Sequence, residues 1–366
     1  MQNLAKKRAK TIDGKAFTRR LLKWNGQKNK REMPWKGEKD PYKIWLSEII
    51  LQQTRVEQGL DYYHRFIQKF PDIRKLANAK DAVIFKLWEG LGYYTRCRNL
   101  ISTARFISKE LDGRFPNSYH DIKELKGVGP YTAAAISSFA FNLSYAVVDG
   151  NVSRVLTRVF GIENAIDSTK GKKLISTLAD ELLDKKQPGI YNQAIMDFGA
   201  VVCKPSAPLC SKCIFKNLCF AFLNDKVKKL PVKSKRVTIR ERWFYYFILE
   251  EENGFIIQQR KSKDIWNELY EFPLIERKRG ATIENILEEA STLGWLKKRK
   301  YEVVKISPMY KQRLSHQLIT GQFIEIKLSE KIKLKKHQLW VTENQLRNFP
   351  FPGVINQYLK SGNKRG

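Results

Sequence analysis

The 366-residue sequence predicts two domains of different class, a mainly α N-terminal half and an α+β C-terminal half. Apolar residues recur at helical spacing from about residue 15 to 222. A basic stretch around Pro231 then interrupts the pattern, and beyond it aromatic and aliphatic runs alternate with turn signals, as strands do. A chain of this length is long for one compact domain and comfortable for two. At 42% hydrophobic and 12% aromatic it buries sizeable cores, which excludes global disorder. The expected organisation is a helical domain over 15–222, a basic linker over 223–241 and a second domain over 242–360.

In the helical part, Asp40-Pro41 is a start signal, with Asp as cap and Pro at the first helical position. The helix it opens runs through Trp45, Glu48 and Leu51 to about Arg55. Two further helices, Asn117 to Leu125 and Pro130 to Phe141, are joined only by Lys126-Gly127-Val128-Gly129. Another begins near Asn151, with Val152, Val155, Leu156 and Val159 on one side, Arg154 and Arg158 on the other, and Gly161 closing it. Lys226 to Arg242 carries eight basic residues against one acidic one and reads as a linker lying along something anionic. Strands are expected over Trp243 to Leu249 and Phe255 to Gln259, with a turn at Glu251-Glu252-Asn253-Gly254 between them. Tyr301 to Ile306, Leu318 to Leu328 and Gln338 to Val341 complete the strands. Helices fit Thr282 to Leu293 and the segment after Thr342, where Thr342 and Gln345 form a capping box. There is no internal repeat.

Charge narrows the partners. With 68 Lys+Arg against 37 Asp+Glu, the net charge is +31, a field that attracts polyanions. A membrane-surface binder concentrates basic residues on one amphipathic helix, whereas here they run along the whole chain, which favours nucleic acid. The nearly uncharged run Tyr131 to Val148 is too polar to span a bilayer, and the basic Met1 to Lys15 lacks a signal peptide's apolar stretch. A soluble, intracellular protein is therefore expected.

Four features carry chemistry. The Gly127-Val128-Gly129 turn before Pro130 is either a generic helix–helix turn or a phosphate site made of helix N-terminal amides. Asp149 stands at the start of the Asn151 helix, as a simple cap or as a carboxylate whose ionised form the helix dipole favours. Glu48 lies among Ile44 and Trp45, either reaching solvent from the edge of the apolar stripe or buried with a raised pKa. Taken together, a carboxyl pushed toward neutrality and one held ionised suit glycosidic cleavage through an oxocarbenium-like state. Finally, Cys203-x6-Cys210-x2-Cys213-x5-Cys219 offers four thiolates, for zinc or for a four-iron cluster. The six-residue first gap departs from zinc knuckles. Lys204, Lys212 and Lys216 within this loop would meet a phosphate backbone, and the separate Cys97 reads as packing.

The order of Glu48, the Gly127-Val128-Gly129 hairpin, Asp149 and the x6-x2-x5 cysteines resembles the endonuclease III superfamily. Within it the chain is similar to adenine DNA glycosylases of the MutY type, through Met33-Pro34-Trp35, Trp45 to Thr54, Gly90-Leu91-Gly92-Tyr93-Tyr94 and Asn192 to Ala200. The resemblance is dense from about Arg31 to Cys219 and looser to about residue 350. It implies a helix-hairpin-helix glycosylase domain with one [4Fe-4S] cluster on Cys203, Cys210, Cys213 and Cys219. Glu48 would protonate the leaving base, Asp149 would stabilise the sugar cation, and Tyr131 and Asn151 would orient Asp149 and the water. Bifunctional relatives carry lysine at the position of Tyr131, and tyrosine forms no Schiff base, so little lyase activity is implied. Gly127, Val128, Gly129, Gln53, Tyr93, Arg31 and Lys36 would contact DNA; Lys36 stands where relatives often have Arg, which loses a bidentate fork.

The C-terminal half resembles the Nudix-like oxidised-guanine reader of that family, through Trp266 to Pro273. Its hydrolase acids are degraded around Glu288-Glu289, which implies reading without hydrolysis. Leu314-Ser315-His316 matches a lesion-recognition triplet whose first member is commonly Phe; Leu314 cannot stack as an aromatic does. The implied partner is double-stranded DNA with adenine opposite 8-oxoguanine or guanine, met by a monomer in the cytoplasm at a bacterial-type nucleoid, without membrane. The competing readings are a glycosylase for damaged pyrimidines or thymine mismatches, and a non-catalytic redox-sensing DNA binder.

Overall fold

The structure, a computed structural model, describes residues 13–234, 238–251, 254–261, 264–296, 301–330 and 332–362. Most of Met1 to Lys15, part of the linker (235–237) and the turn residues Glu252-Asn253 lie outside the described residues. The Cα positions divide into two compact units: Met1–Asn78 with Asn99–Arg236, and Ala79–Arg98 with Val237–Gly366.

The first unit is helical. Its elements are α1 (Gly14–Lys28), α2 (Pro41–Leu51), α3 (Val56–Lys69) and α4 (Ile73–Ala77). Helix α5 (Asp81–Trp88) belongs to the second unit, and the boundary falls within α6 (Tyr94–Glu110). The helical unit continues through α7 (Tyr119–Glu124), α8 (Pro130–Phe141), α9 (Gly150–Phe160), α10 (Thr169–Leu182), α11 (Pro188–Val201) and α12 (Phe220–Leu223). Asp40 caps α2 by accepting the Tyr42 N–H at 2.9 Å. That helix stops at Leu51, short of the expected Arg55, because Gln53 turns left-handed at φ 57°. Likewise α7 starts two residues later than expected, since Ser118 is spent as its cap, accepting from Asp121 N at 3.1 Å. Helix α9 buries Val152, Val155, Leu156 and Val159 against α1, α10 and α11, in a core closed by the Phe17–Phe215 stack at 4.6 Å. Glycine is required at 199, where a Cβ would stand 2.7 Å from Asn151 Cβ and block the approach of α11 to α9.

The second unit is a mixed eight-stranded sheet with helices. In chain order it holds β1 (Arg240–Glu251), β2 (Gly254–Gln259), β3 (Tyr270–Glu271), β4 (Leu274–Arg277), α13 (Ile283–Thr292) and β5 (Tyr301–Ile306). Then follow β6 (Tyr310–Arg313), β7 (Gln317–Leu328), β8 (Gln338–Thr342), α14 (Glu343–Leu346) and α15 (Gly353–Gly362). Strands β1 and β7 pair in parallel at the centre, from Arg240↔Gln317 to Glu250↔Lys327. One face packs Tyr245, Phe247, Ile324 and Ile326 on α13 through Ile286 and Ala290. On α15, Tyr358 stacks on Phe323 with centroids 4.1 Å apart. The Thr342–Gln345 capping box forms as expected. Among the described residues no helix is long and apolar enough to cross a membrane.

The turn between α7 and α8 depends on Gly127, whose φ is 83° and whose Cβ would stand 2.8 Å from Asn99. Gly127→Ala should therefore lower stability by about 1–3 kcal/mol, the cost of a left-handed non-glycine residue. Urea denaturation measures this, and an unchanged midpoint would contradict it.

Candidate active site

A cavity of about 460 Å³ in the helical unit gathers Glu48 from α2, Tyr131 from α8, and Asp149 and Asn151 at the start of α9. These are the four residues expected to act together. Arg31 and Lys36 line the same cavity.

Glu48 is 7% exposed. Its helix buries every residue from Ile44 to Ile50, so the carboxyl stands among packed, mainly apolar side chains and not on a solvent face. Burial raises its pKa to about 7, with the nearby Asp149 adding to the rise; the Tyr131 hydroxyl, which donates to the carboxyl, offsets part of it. The same surroundings push the Tyr131 phenol up.

Asp149 is the N-cap of α9. It accepts from Val152 N at 2.7 Å through Oδ1 and from Asn151 Nδ2 at 2.7 Å through Oδ2. Burial nevertheless raises its pKa above the ordinary carboxylate value, while these donors and Arg154 pull it back. This corrects the expectation that Glu48 and Asp149 lie on opposite sides of their ordinary values. Both are raised, because both are desolvated in one cavity. What separates them is that Asp149 has helix-end donors and Glu48 has a single hydroxyl.

Behind this pair runs a line of hydrogen bonds. Asn151 Oδ1 accepts from Arg154 Nη2 at 2.8 Å, and Arg154 also donates to the carbonyls of Gly199 at 2.8 Å and Cys203 at 2.7 Å. One turn on, Arg158 donates to the carbonyls of Leu230 at 2.9 Å and Lys204 at 2.7 Å, and to Cys203 Sγ at 3.6 Å. Cys203, Cys210, Cys213 and Cys219 line one apolar cavity with Val159, Phe198 and Phe222. Phe215 N donates to Cys213 Sγ at 3.4 Å. Among the described residues no three His, Cys, Asp or Glu side chains are grouped to hold a metal ion. The donor set itself, four sulfurs round one apolar hole with N–H groups on two of them, fits a sulfur-ligated cluster.

The remaining expected site residues are placed as follows. Gly127 and Gly129 are exposed and Val128 is buried at the α7–α8 turn. The turn is tied to α2 by Gln52 Nε2, 3.4 Å from Gly127 O, and to α6 by Thr103 Oγ1, 2.9 Å from Lys126 O. Gln53 is exposed and left-handed. Arg31 and Lys36 are engaged by Asp197, which is fully buried, at 2.9 and 3.1 Å. Asn29 and Gln193 complete its shell at 2.8 and 2.9 Å. In the second unit, Tyr93 is exposed with φ 50°, and Leu314-Ser315-His316 form the β6–β7 turn, closed by Leu314 N to Gln317 O at 2.8 Å. Asp197 and Arg154 are given no site role by the sequence reading, although the first lies in the matched Asn192 to Ala200 stretch and the second on the predicted Asn151 helix. Asp197 shows the signal that exposed Glu48, a lone acid in an apolar helix.

The helical fold and this cavity define a class. Residues 46–184 match the HhH-GPD superfamily of base excision DNA repair proteins, and residues 244–361 match the NUDIX domain. An adenine DNA glycosylase of Buchnera aphidicola subsp. Baizongia pistaciae is 35% identical over 82% of this chain and 83% of its own length. One from Buchnera aphidicola subsp. Acyrthosiphon pisum is 31% identical over 95% and 98%. A solved thermostable thymine-DNA glycosylase is 30% identical with a TM-score of 0.53, over 57% of this chain and 96% of that one. The chain belongs to the adenine DNA glycosylase family.

The folded pKa of Glu48, about 7, lies above its ordinary 4.5, so the native state keeps a proton that the unfolded chain has already released. Stability from this group is full below about 4.5 and is lost as pH rises through about 7. Glu48→Gln should thus exceed the wild type by about 1–3 kcal/mol near pH 8 and match it near pH 4, from roughly 1.4 kcal/mol per pKa unit. Paired urea melts read the difference; a variant no more stable at pH 8 would contradict the buried acid.

Proposed function

We propose that the protein removes adenine mispaired with 8-oxoguanine or guanine in double-stranded DNA, by hydrolysing the N-glycosidic bond with little or no strand cleavage. The observation that carries this reading is Glu48, buried with a pKa of about 7 in the same cavity as Asp149. A proton resident on Glu48 near neutrality is available to the departing base, whose flipping into the cavity costs a few kcal/mol. Asp149, with donors from the start of α9 on both of its oxygens, faces the sugar as it becomes cationic. Asn151 holds Asp149, and Tyr131 holds Glu48 while offering no amine for a Schiff base. Gly127, Val128 and Gly129 would present the α8 N-terminus to a phosphate, with Gln53 and Tyr93 at the duplex. Arg31 and Lys36, paired with Asp197, would shape the cavity and keep their spare donors for the nucleotide. Leu314, Ser315 and His316 would meet the opposite base, mainly through the two polar side chains.

Cys203, Cys210, Cys213 and Cys219 would hold one [4Fe-4S] cluster, which supplies a covalent cross-link to a loop that is otherwise tied by Arg154 and Arg158. With a net charge of +31, the protein is suited to the nucleoid in the cytoplasm, working as a monomer.

Duplexes with adenine opposite 8-oxoguanine, guanine or thymine, followed by chemical cleavage at abasic sites, test the reading. Adenine release opposite 8-oxoguanine and guanine is expected, falling as pH rises through about 7 and dropping about 10² to 10⁴-fold in Glu48→Gln. No adenine release from the 8-oxoguanine duplex would sink it. Likeness to the thymine-DNA glycosylase favours a second reading, established instead by thymine release without adenine release. Iron and acid-labile sulfide should accompany the protein and leave it in Cys210→Ser with a lower Tm. A colourless, zinc-bearing protein would overturn the cluster.

A further inference from the structure

Tyr93 lies within the span matched to the helical repair superfamily, yet its segment clusters with the C-terminal unit. The contacts that bind it there are specific. At the end of α5, the carboxylate of Glu89 accepts from Phe351 N at 2.8 Å and from Asn356 Nδ2 at 3.0 Å. Lys86, one turn earlier, pairs with Glu89 at 2.6 Å and donates to Phe349 O at 3.1 Å. Lys86 on the last turn of α5 and Glu89 at its cap thus clamp the chain that runs from the end of α14 into α15. Beyond them the turn is stiff: Gly90, Gly92 and Tyr93 all have positive φ, and Trp88 Nε1 donates to Gly92 O at 3.0 Å. Arg96 donates to the carbonyls of Leu91 and Gly92 at 3.3 and 3.2 Å, with its guanidinium over the Tyr93 ring at 5.4 Å. At the tip, the Tyr93 hydroxyl meets Ser315 Oγ, and Arg98 donates to Asn267 O at 3.0 Å.

We propose that Glu89 is a positioning residue, pinning the Trp88–Tyr93 turn to the Phe349–Asn356 chain so that Tyr93 and the Leu314-Ser315-His316 turn meet the duplex as one probe. Discrimination between 8-oxoguanine and guanine opposite adenine then depends on a residue that touches neither base. This rests on the reading of Tyr93 and the β6–β7 turn as the duplex-facing groups. The pin is two hydrogen bonds to one enclosed oxygen, since the Glu89 side chain is only 16% exposed, so its loss is felt more than that of a surface pair.

The full-length protein tests this with Glu89→Ala, Glu89→Gln and Tyr93→Ala, by hydrogen exchange of the 88–93 amides and by the ratio of adenine-release rates opposite 8-oxoguanine and guanine at limiting protein, where binding enters the rate. Glu89→Ala should speed exchange and lower the ratio by about tenfold, as expected when hydrogen bonds to a charged group are lost. Its rate on the 8-oxoguanine duplex at saturating protein should stay within about twofold, because no reacting group has moved. Glu89→Gln, which keeps the acceptor oxygen, should restore both readouts, and Tyr93→Ala should add nothing to Glu89→Ala. If Glu89→Ala folds poorly, Asn356→Ala removes one donor from the far side and should shift both readouts in the same direction. Unchanged exchange, or a loosened turn with full discrimination, overturns the pin. Tyr93→Ala with full discrimination sinks the reading beneath it; Tyr93→Ala losing discrimination while Glu89→Ala keeps it sinks the pin alone.

Discussion

Two buried guanidinium groups on α9 fix the arrangement on which the site depends. A cation taken out of water is tolerated only where its N–H groups find acceptors, and breaking such a group from its partners costs several kcal/mol. Arg154 and Arg158, 8% and 3% exposed, meet this demand with main-chain carbonyls of the cysteine loop, of Gly199 and of Leu230. The helix therefore cannot shift without stranding two charges. Its first turn carries Asn151, and its cap is Asp149. The cysteine loop and the carboxylate are two ends of one hydrogen-bonded line, which makes the loop a brace for the site even though its sulfurs line a separate cavity.

Three buried carboxyls show how donors, more than burial, sort their roles. Asp197 accepts from Asn29, Arg31, Lys36 and Gln193 and so ties down the two basic side chains that line the cavity. Asp149 takes two donors from its own helix start and feels Arg154 beyond them. Glu48 has the Tyr131 hydroxyl and no cation, and burial prevails, holding it near 7. An acid with a proton to give and an acid supplied with donors for its anion stand in one cavity, as a leaving base and a developing sugar cation require.

Much of this was legible in the sequence, for identifiable reasons. Glu48 stood out as a lone acid in an apolar helix, Asp149 as a cap before a periodic stretch, and the cysteines by spacing alone. Strands β5 and β7 and the Thr342 capping box could be read because they are long or chemically marked. Strands β3, β4 and β6 could not, since two to four residues hold too little periodicity. The rise in the Asp149 pKa was hidden because its burial arises in a cavity built from several helices, α2 and α11 among them, and not from the helix it caps. Asp197 carried the same signal as Glu48, yet only the fold reveals that Arg31 and Lys36 turn inward to it. The grouping of 79–98 with the C-terminal sheet was invisible for the same reason: Glu89 and Asn356 are 267 residues apart.

The central claim is that burial keeps Glu48 protonated near neutrality. Its carboxyl carbon can be followed by ¹³C NMR in glutamate-labelled protein, assigned by the resonance lost in Glu48→Gln, and titrated directly. A midpoint near 7 is predicted. A midpoint at the ordinary 4.5 would contradict the account, for the cavity would then hold two carboxylates and no acid.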